Sequence, residues 1–282
     1  MPDYRPQLET IRSAITAAGK IAHRFQTEGF EQLADKTKGD PFLTEADLAI
    51  DSYLQQALLA AYPDYGWFSE ETPPQDNPLE KEFCWVVDPI DGTREFVAMN
   101  GEFVISIGLV HRGKAVLGGI YAPMKNLLIL GGVGCPVTLN GNHIPPAQPK
   151  ALAEVVCAVS RSETADGLWT PYQDIIPLQE IGSVAYKLGL IAIGQIDLTI
   201  SLRPKNLWDV CAGHALVEAS GGVFEDLDGS AVSYPLRKIT APQSQPAPPS
   251  YLLSGLFAAR RPDLIPAVRQ ALHISPDVAA SA

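Results

Sequence analysis

In "WVVDPIDGTREF" an apolar, β-branched run leads into two aspartates, Asp88 and Asp91, spaced D-x-x-D. A segment of that kind is suited to burial, so acids at its end need a chemical reason. "CWVV" reads as a strand that delivers Asp88 at its C-terminal end, with Pro89 forcing a turn before Asp91. Gly92 then lets the backbone approach a ligand closely, and Thr93 stands near the N-terminus of a helix opening at "REF". A helix N-terminus offers free N–H groups and the positive end of a dipole, which suits a phosphate oxygen. Two carboxylates beside a phosphate repel it unless cations lie between them. Two Mg²⁺ ions meet that need, because hard divalent cations take carboxylate, carbonyl and water oxygens and bridge to phosphate. Taken alone, the pair also reads as an Asx-type turn at a strand end.

Aspartyl-phosphate phosphatases likewise follow an apolar strand with D-x-D-G-T, the first Asp being the nucleophile. The D-x-x-D spacing here is one residue longer and does not hold the two side chains in those roles. Further acids stand in three other stretches. "GWFSEE" places Glu70 and Glu71 in a loop upstream, able to supply a third ligand and equally readable as solvated loop acids. "TEAD" sets Asp47 three residues after Thr44, the signature of a capping box, which can coexist with a catalytic role. "NLWDVCAG" puts Asp209 in the first turn of a late helix, where dipole complementation alone accounts for it.

The elements that must position these residues follow from the apolar pattern. Leu8, Ile11, Ile15, Ala18, Ile21 and Phe25 form one face of an amphipathic helix. After the polar loop "ADKTKGDPF", Thr44 opens a second helix that Pro63 stops. "FVISIGLV", "AVLGGIYA" and "NLLILGGV", joined by short turns, predict an antiparallel meander. "PPAQPKALAE" predicts a domain boundary, dividing the chain into 1–150, with most of the acids, and 151–282, with Asp209. Beyond it come a strand at "VVCAVS", a helix at "SVAYKLGLIAIG" and a strand at "IDLTIS". A helix closed by Gly221 and Gly222, an exposed loop at "APQSQPAPPS" and a terminal helix at "RPDLIPAVRQAL" complete the chain. Strands and helices on both sides of the boundary predict a layered α/β protein.

Composition limits the partners. The chain has 282 residues and a formal charge of −11, which opposes a nucleic-acid polymer or an anionic membrane surface as partner. No run approaches the length of a membrane span and no signal-peptide pattern opens the sequence, so no membrane insertion is expected. Four scattered cysteines without a C-x-x-C pair predict free thiols and a cytoplasmic location. The five histidines show no metal-ligand spacing, and His214 reads as a packed or surface residue.

Together, "TEAD", the "EE" pair, "DPIDGT" and the late "WD" resemble the inositol monophosphatase superfamily of Mg²⁺-dependent phosphatases, over nearly the whole chain. The resemblance implies an α/β/α/β/α sandwich, two or three Mg²⁺ ions, sensitivity to Li⁺ and, in many members, a homodimer. It implies that Glu70, Asp88 and the carbonyl of Ile90 hold one metal, and that Asp88, Asp91 and Asp209 hold the second. It further implies that the backbone of Gly92 and Thr93 cradles the phosphate, and that Thr93, bonded to Asp47, orients a metal-activated water. All these residues are present, which argues against a catalytically dead binding protein.

Within the superfamily, "DGTREF" followed by "NGEF" resembles the 3′(2′),5′-bisphosphate nucleotidase branch, as do "VSRS" and "GSVAYK". That branch implies hydrolysis of adenosine 3′,5′-bisphosphate to AMP and phosphate. Lys187, Arg161, Arg203 and Ser183 are then the substrate-side candidates. Bacterial members carry an arginine before "WD" where this chain has Ser201. Arg203, two residues on, shares a strand face with that position if the stretch is extended. Inositol monophosphatases place a glutamate shortly before "WD", whereas no carboxylate lies between Asp197 and Asp209 here. The alternative is an inositol monophosphatase or a phosphatase of broad specificity for small phosphate monoesters.

Overall fold

The computed structural model describes residues 2–33, 42–73, 78–234 and 252–272. "APQSQPAPPS" and most of "ADKTKGDPF" lie outside these residues. Helix α1 (Arg5–Glu28) buries Leu8, Ile11, Ile15 and Ala18 along the stripe read from the sequence. Helix α2 (Glu45–Ala61) begins at Thr44, whose hydroxyl accepts the Ala46 N–H, and packs against α1.

Both helices cover one face of a seven-stranded sheet. Its strands lie in chain order: β1 (Gly66–Ser69), β2 (Phe83–Asp91), β3 (Val104–His111), β4 (Lys114–Ala122), β5 (Leu127–Gly132), β6 (Cys135–Leu139) and β7 (Asn142–His143). Strand β1 runs parallel to β2; β3, β4 and β5 form the expected antiparallel meander, which β2 on one side and β6 and β7 on the other extend. The β3–β4 hairpin turns on Arg112 (φ 48°) and Gly113 (φ 77°), both left-handed, as a two-residue turn matched to strand twist requires. One expectation is corrected: β2 does not end at Asp88. It continues to Asp91 through a shift of register between the two aspartates, and Pro89 sits in that irregularity, where its missing N–H breaks no regular ladder.

Helix α3 (Thr93–Val97) links β2 to β3. The later chain supplies β8 (Cys157–Val159), α4 (Arg161–Ala165), β9 (Leu178–Glu180), α5 (Val184–Ala192), β10 (Leu198–Ser201), β11 (Lys205–Asn206) and α6 (Leu207–Ala219). It closes with β12 (Val223–Glu225), β13 (Leu252–Leu253), β14 (Leu256–Ala259) and α7 (Leu264–Leu272). A second sheet has the order β12-β14-β10-β8-β9, and β11 pairs with β13 in a short ribbon.

Helices α5 and α6 lie between the two sheets, and α7 covers the far face of the second. The layers are therefore α, β, α, β, α. Close packing sets the position of α6. A Cβ at Gly108 would lie 2.5 Å from Cys211 Sγ, and one at Gly118 would lie 2.1 Å from the Ala212 carbonyl oxygen. Glycine at both points lets the helix lie directly on β3 and β4, which brings its N-terminus to the end of β2. The Pro- and Ala-rich stretch runs between the two sheets, yet Val86 and Ile120 share an apolar core with Leu188, Val210 and Leu216. Among the described residues, no helix is long and apolar enough to cross a membrane.

Candidate active site

The end of β2 and the N-terminus of α6 meet in a cleft of about 660 Å³. Asp88 and Asp91 come from the irregular end of β2, and Asp209 from the first turn of α6. Ligand atoms of these three carboxylates lie within 4.8 Å of one another. Glu70, just past β1, lines the same cleft, and its N–H donates to the Val87 carbonyl at 3.3 Å.

Two of the acids are held by backbone. Asp91 Oδ2 accepts the Ser183 hydroxyl at 2.5 Å and the Ala185 N–H at the start of α5. Asp209 Oδ2 accepts the Asn206 N–H at 3.0 Å. Asp88 differs: its Oδ1 is buried without any hydrogen-bond partner. A buried, unpartnered carboxylate oxygen is costly in a dry site.

The proton affinities follow from this crowding. Burial, then the charges of Glu70, Asp91 and Asp209, hold the Asp88 carboxyl well above the usual range. Burial raises Asp91 too, opposed by its bonds to Ser183 and Ala185 and by Lys187 and Lys205. Asp209 is pushed up to about 7 by burial and by the charge of Asp91. Three such carboxylates ionise together only if cations compensate them, and divalent metal supplies that charge while satisfying the orphaned oxygen of Asp88. The donor set fits hard cations that take oxygen ligands.

Thr93 connects this cluster to α2. Its hydroxyl donates to Asp47 Oδ1 at 3.4 Å and lies 3.2 Å from the Ile90 carbonyl oxygen, while Ile90 lines the cleft. Asp47 Oδ2 accepts the Thr44 N–H at 2.8 Å and the Thr44 hydroxyl at 2.5 Å, so the expected capping interaction coexists with the contact to Thr93. Burial pushes Asp47 up to about 7. Gly92 has φ 94°, and a Cβ there would lie 3.0 Å from Ser183 Cβ, so the cleft floor needs glycine at this point.

The substrate-side candidates share the cleft, in different states. Lys187 is buried, unlike a solvated helix lysine, and its ammonium donates to the Ile181 carbonyl at 3.3 Å. Burial, then the neighbouring charge of Lys205, lowers it to about 8, so it stays a cation at neutral pH. Ser183 caps α5 in a left-handed conformation, φ 56°. Arg161 donates to Glu102 at 2.5 Å and lies 3.7 Å from Glu95. Arg203 donates to Asp166 at 2.5 Å. The shared strand face expected for Ser201 and Arg203 does not form. Strand β10 ends at Ser201, which turns into the buried Glu163 carboxylate, and Arg203 lies beyond the strand at an exposed bend. His214 is buried and stacks on Phe224 with ring centroids 4.4 Å apart.

Two residues absent from the sequence reading lie in or beside this site. Lys205 lines the cleft four residues before Asp209, in the stretch already noted for lacking carboxylates. Asp51, one helical turn after Asp47 on α2, is buried and accepts the hydroxyls of Ser69 and Thr72, which bracket Glu70 and Glu71. The i, i+4 spacing of Asp47 and Asp51 was the available signal.

Comparison with known proteins places the chain in a family. The profile of the Inositol monophosphatase family matches residues 3–262. The 3′(2′),5′-bisphosphate nucleotidase CysQ of Salmonella typhimurium is 33% identical over 206 residues, covering 72% of this chain and 83% of that protein. The Nus factor SuhB of Escherichia coli is 28% identical over 229 residues, covering 78% and 84%. Among solved structures, an inositol monophosphatase of Thermotoga maritima superposes with a TM-score of 0.79 at 20% identity, covering 98% of both chains. One from Anabaena gives 0.76 at 23% identity, covering 99% of this chain and 100% of that one.

Proposed function

The chain belongs to the inositol monophosphatase family of metal-dependent phosphatases, and within it we propose a 3′(2′),5′-bisphosphate nucleotidase that converts adenosine 3′,5′-bisphosphate to AMP and phosphate. The observation that carries this choice is the cleft wall before Asp209. There the segment 202–205 presents Arg203 and Lys205 and no carboxylate, beside the buried cation Lys187. Such a wall suits a second anionic group better than the hydroxyls of a polyol. The 33% identity to a named bisphosphate nucleotidase supports the same choice.

On this reading Glu70, Asp88 and the carbonyl of Ile90 would hold one Mg²⁺, and Asp88, Asp91 and Asp209 another. Bound metal supplies an activated water nucleophile and neutralises charge on the phosphate and the leaving oxygen. The chain's own groups do the positioning. The N–H groups of Gly92 and Thr93 receive the scissile phosphate. The Thr93 hydroxyl, fixed by Asp47, orients the attacking water and passes a proton towards the Asp47 carboxylate. Ser183 anchors Asp91, and Lys187 faces the remainder of the substrate. No covalent intermediate with the protein forms. A cytoplasmic location, to which the four free, buried cysteines are suited, belongs to the same proposal, as does homodimerisation.

The test compares kcat/KM for adenosine 3′,5′-bisphosphate and inositol 1-phosphate at saturating Mg²⁺. A clear preference for the nucleotide is expected. A preference for the inositol ester replaces this reading with the inositol monophosphatase one.

A further inference from the structure

We propose that Lys205, steadied from behind by the buried carboxylate of Glu163, receives the second phosphate of the substrate together with Lys187 and thereby sets the preference for bisphosphates. The inference rests on the nucleotidase reading above and deepens it.

Charge pairing along the cleft singles out this residue. Arg161 is matched by Glu102 and Glu95, and Arg203 by Asp166, with the Arg203 side chain 44% exposed. Arg94 also lines the cleft, but it is exposed and its guanidinium lies 4.9 Å over the Phe42 ring. Lys187 and Lys205 are both largely removed from solvent, and each feels the field of Glu163. Asp91 and Glu95 also act on Lys187, and Asp91 and Asp209 feel both lysines, so the two ammonium groups are left to attract a further anion once metal compensates Asp91 and Asp209. An anion arriving there is attracted in a setting where water screens little.

Geometry supports the same residue. Lys205 Nζ lies 3.7 Å from Glu163 Oε1, near enough for charge attraction and too far to use up its donors. Only 14% of its side chain is exposed, so little rotamer freedom remains to be lost on binding. Glu163 is itself fixed: it accepts the Ser201 hydroxyl, the Trp169 indole N–H at 3.0 Å and the Leu202 N–H at 3.3 Å. The backbone of Lys205 is tied by its strand pairing to Leu253 and leads directly into α6, so it is coupled to the position of Asp209. A Lys ammonium recognises phosphate as a compact charge with freely rotating donors.

The experiment uses two substrates with the same scissile 3′-ester, adenosine 3′,5′-bisphosphate and adenosine 3′-monophosphate, which lacks the spectator 5′-phosphate. The readout is the ratio of their kcat/KM values in the full-length protein with Mg²⁺. Lys205→Met is expected to lower the ratio about ten- to a hundredfold, the range for a lost hydrogen bond to a charged group, and to do so through KM. Lys205→Arg is expected to recover most of it. A ratio unchanged in Lys205→Met, or an equal loss on both substrates, overturns the assignment. So does a collapse of the ratio in Arg203→Ala or Arg94→Ala instead. If the unmutated protein shows no preference for the bisphosphate, the nucleotidase reading fails as well. If it shows one that Lys205→Met leaves intact, only the role of Lys205 fails.

Discussion

The two sides of the cleft are built differently. The acidic floor is fixed at the level of the backbone: Asp88 and Asp91 share the bulged end of one strand, and Asp209 occupies the first turn of a helix seated on glycines. Two of those carboxylates are held by main-chain N–H groups. The cationic wall is held mainly by side chains. Its arginines and lysines extend from α4, α5 and the 203–205 segment, and carboxylates pair with three of them: Glu102 with Arg161, Asp166 with Arg203 and Glu163 with Lys205. The floor is a rigid arrangement that permits one chemistry. On the proposed reading, single substitutions in the wall would alter substrate preference while the floor keeps the chemistry.

This contrast predicts that floor substitutions abolish turnover on every substrate alike. The largest effect is expected from Asp91→Asn, which keeps the shape and removes a charge from the ligand cluster. It should lower kcat/KM by roughly a thousandfold or more for both nucleotide and inositol esters, the several kcal/mol that metal-borne charge stabilisation supplies. Phosphate release at saturating Mg²⁺ measures it. Retention of even a tenth of the activity would remove Asp91 from the metal centre.

A smaller and more selective effect is expected where the floor rests on α2. Asp51 ties Ser69 and Thr72, on either side of the "EE" pair, to the helix that carries Asp47. Asp51→Ala should raise the Mg²⁺ concentration for half-maximal activity about tenfold, as loss of a group that supports a metal ligand does, with kcat recovered at high Mg²⁺. An unchanged Mg²⁺ requirement, with only thermal stability reduced, would confine Asp51 to a structural role.

The difference between floor and wall also explains what was legible in the sequence. Asp88, Asp91, Asp47 and Asp209 lie in short motifs whose local structure, a strand end or a first helical turn, can be read from a few neighbouring residues. The meander was legible because β3, β4 and β5 adjoin in sequence and turn within two to four residues. The wall was not. Lys205, Glu163 and Ser201 are brought together by the parallel pairing of β8 and β10, forty residues apart, and no local pattern encodes that contact. The continuation of β2 through Pro89 was hidden for a related reason: proline reads locally as a stop, and only the pairing with β3 shows a bulge. Arg203 was placed on the Ser201 face by assuming an extended chain, whereas the strand ends at Ser201, two residues before Arg203.

The gentlest probe of the contrast is pH, because the floor carboxyls titrate near 7, below the wall's Lys187 at about 8. Burial and the charge of Asp91 raise Asp209 from an ordinary value of 3.8 to about 7, and burial does the same for Asp47. A carboxyl that holds its proton more tightly folded than unfolded favours the folded state in acid. Its contribution is complete below the unfolded value and is lost as pH rises through the folded one. In EDTA the melting temperature should therefore fall between about pH 5.5 and 8, by a few degrees, as these carboxyls ionise without compensation. Mg²⁺ compensates the ionised forms, so the stabilisation it confers should grow across the same interval. Thermal scans with EDTA and with Mg²⁺ at several pH values separate the outcomes. A Mg²⁺ shift of constant size over that interval would mean that the floor carboxylates are already ionised and compensated without metal, and the division between a metal-requiring floor and a cationic wall would not hold.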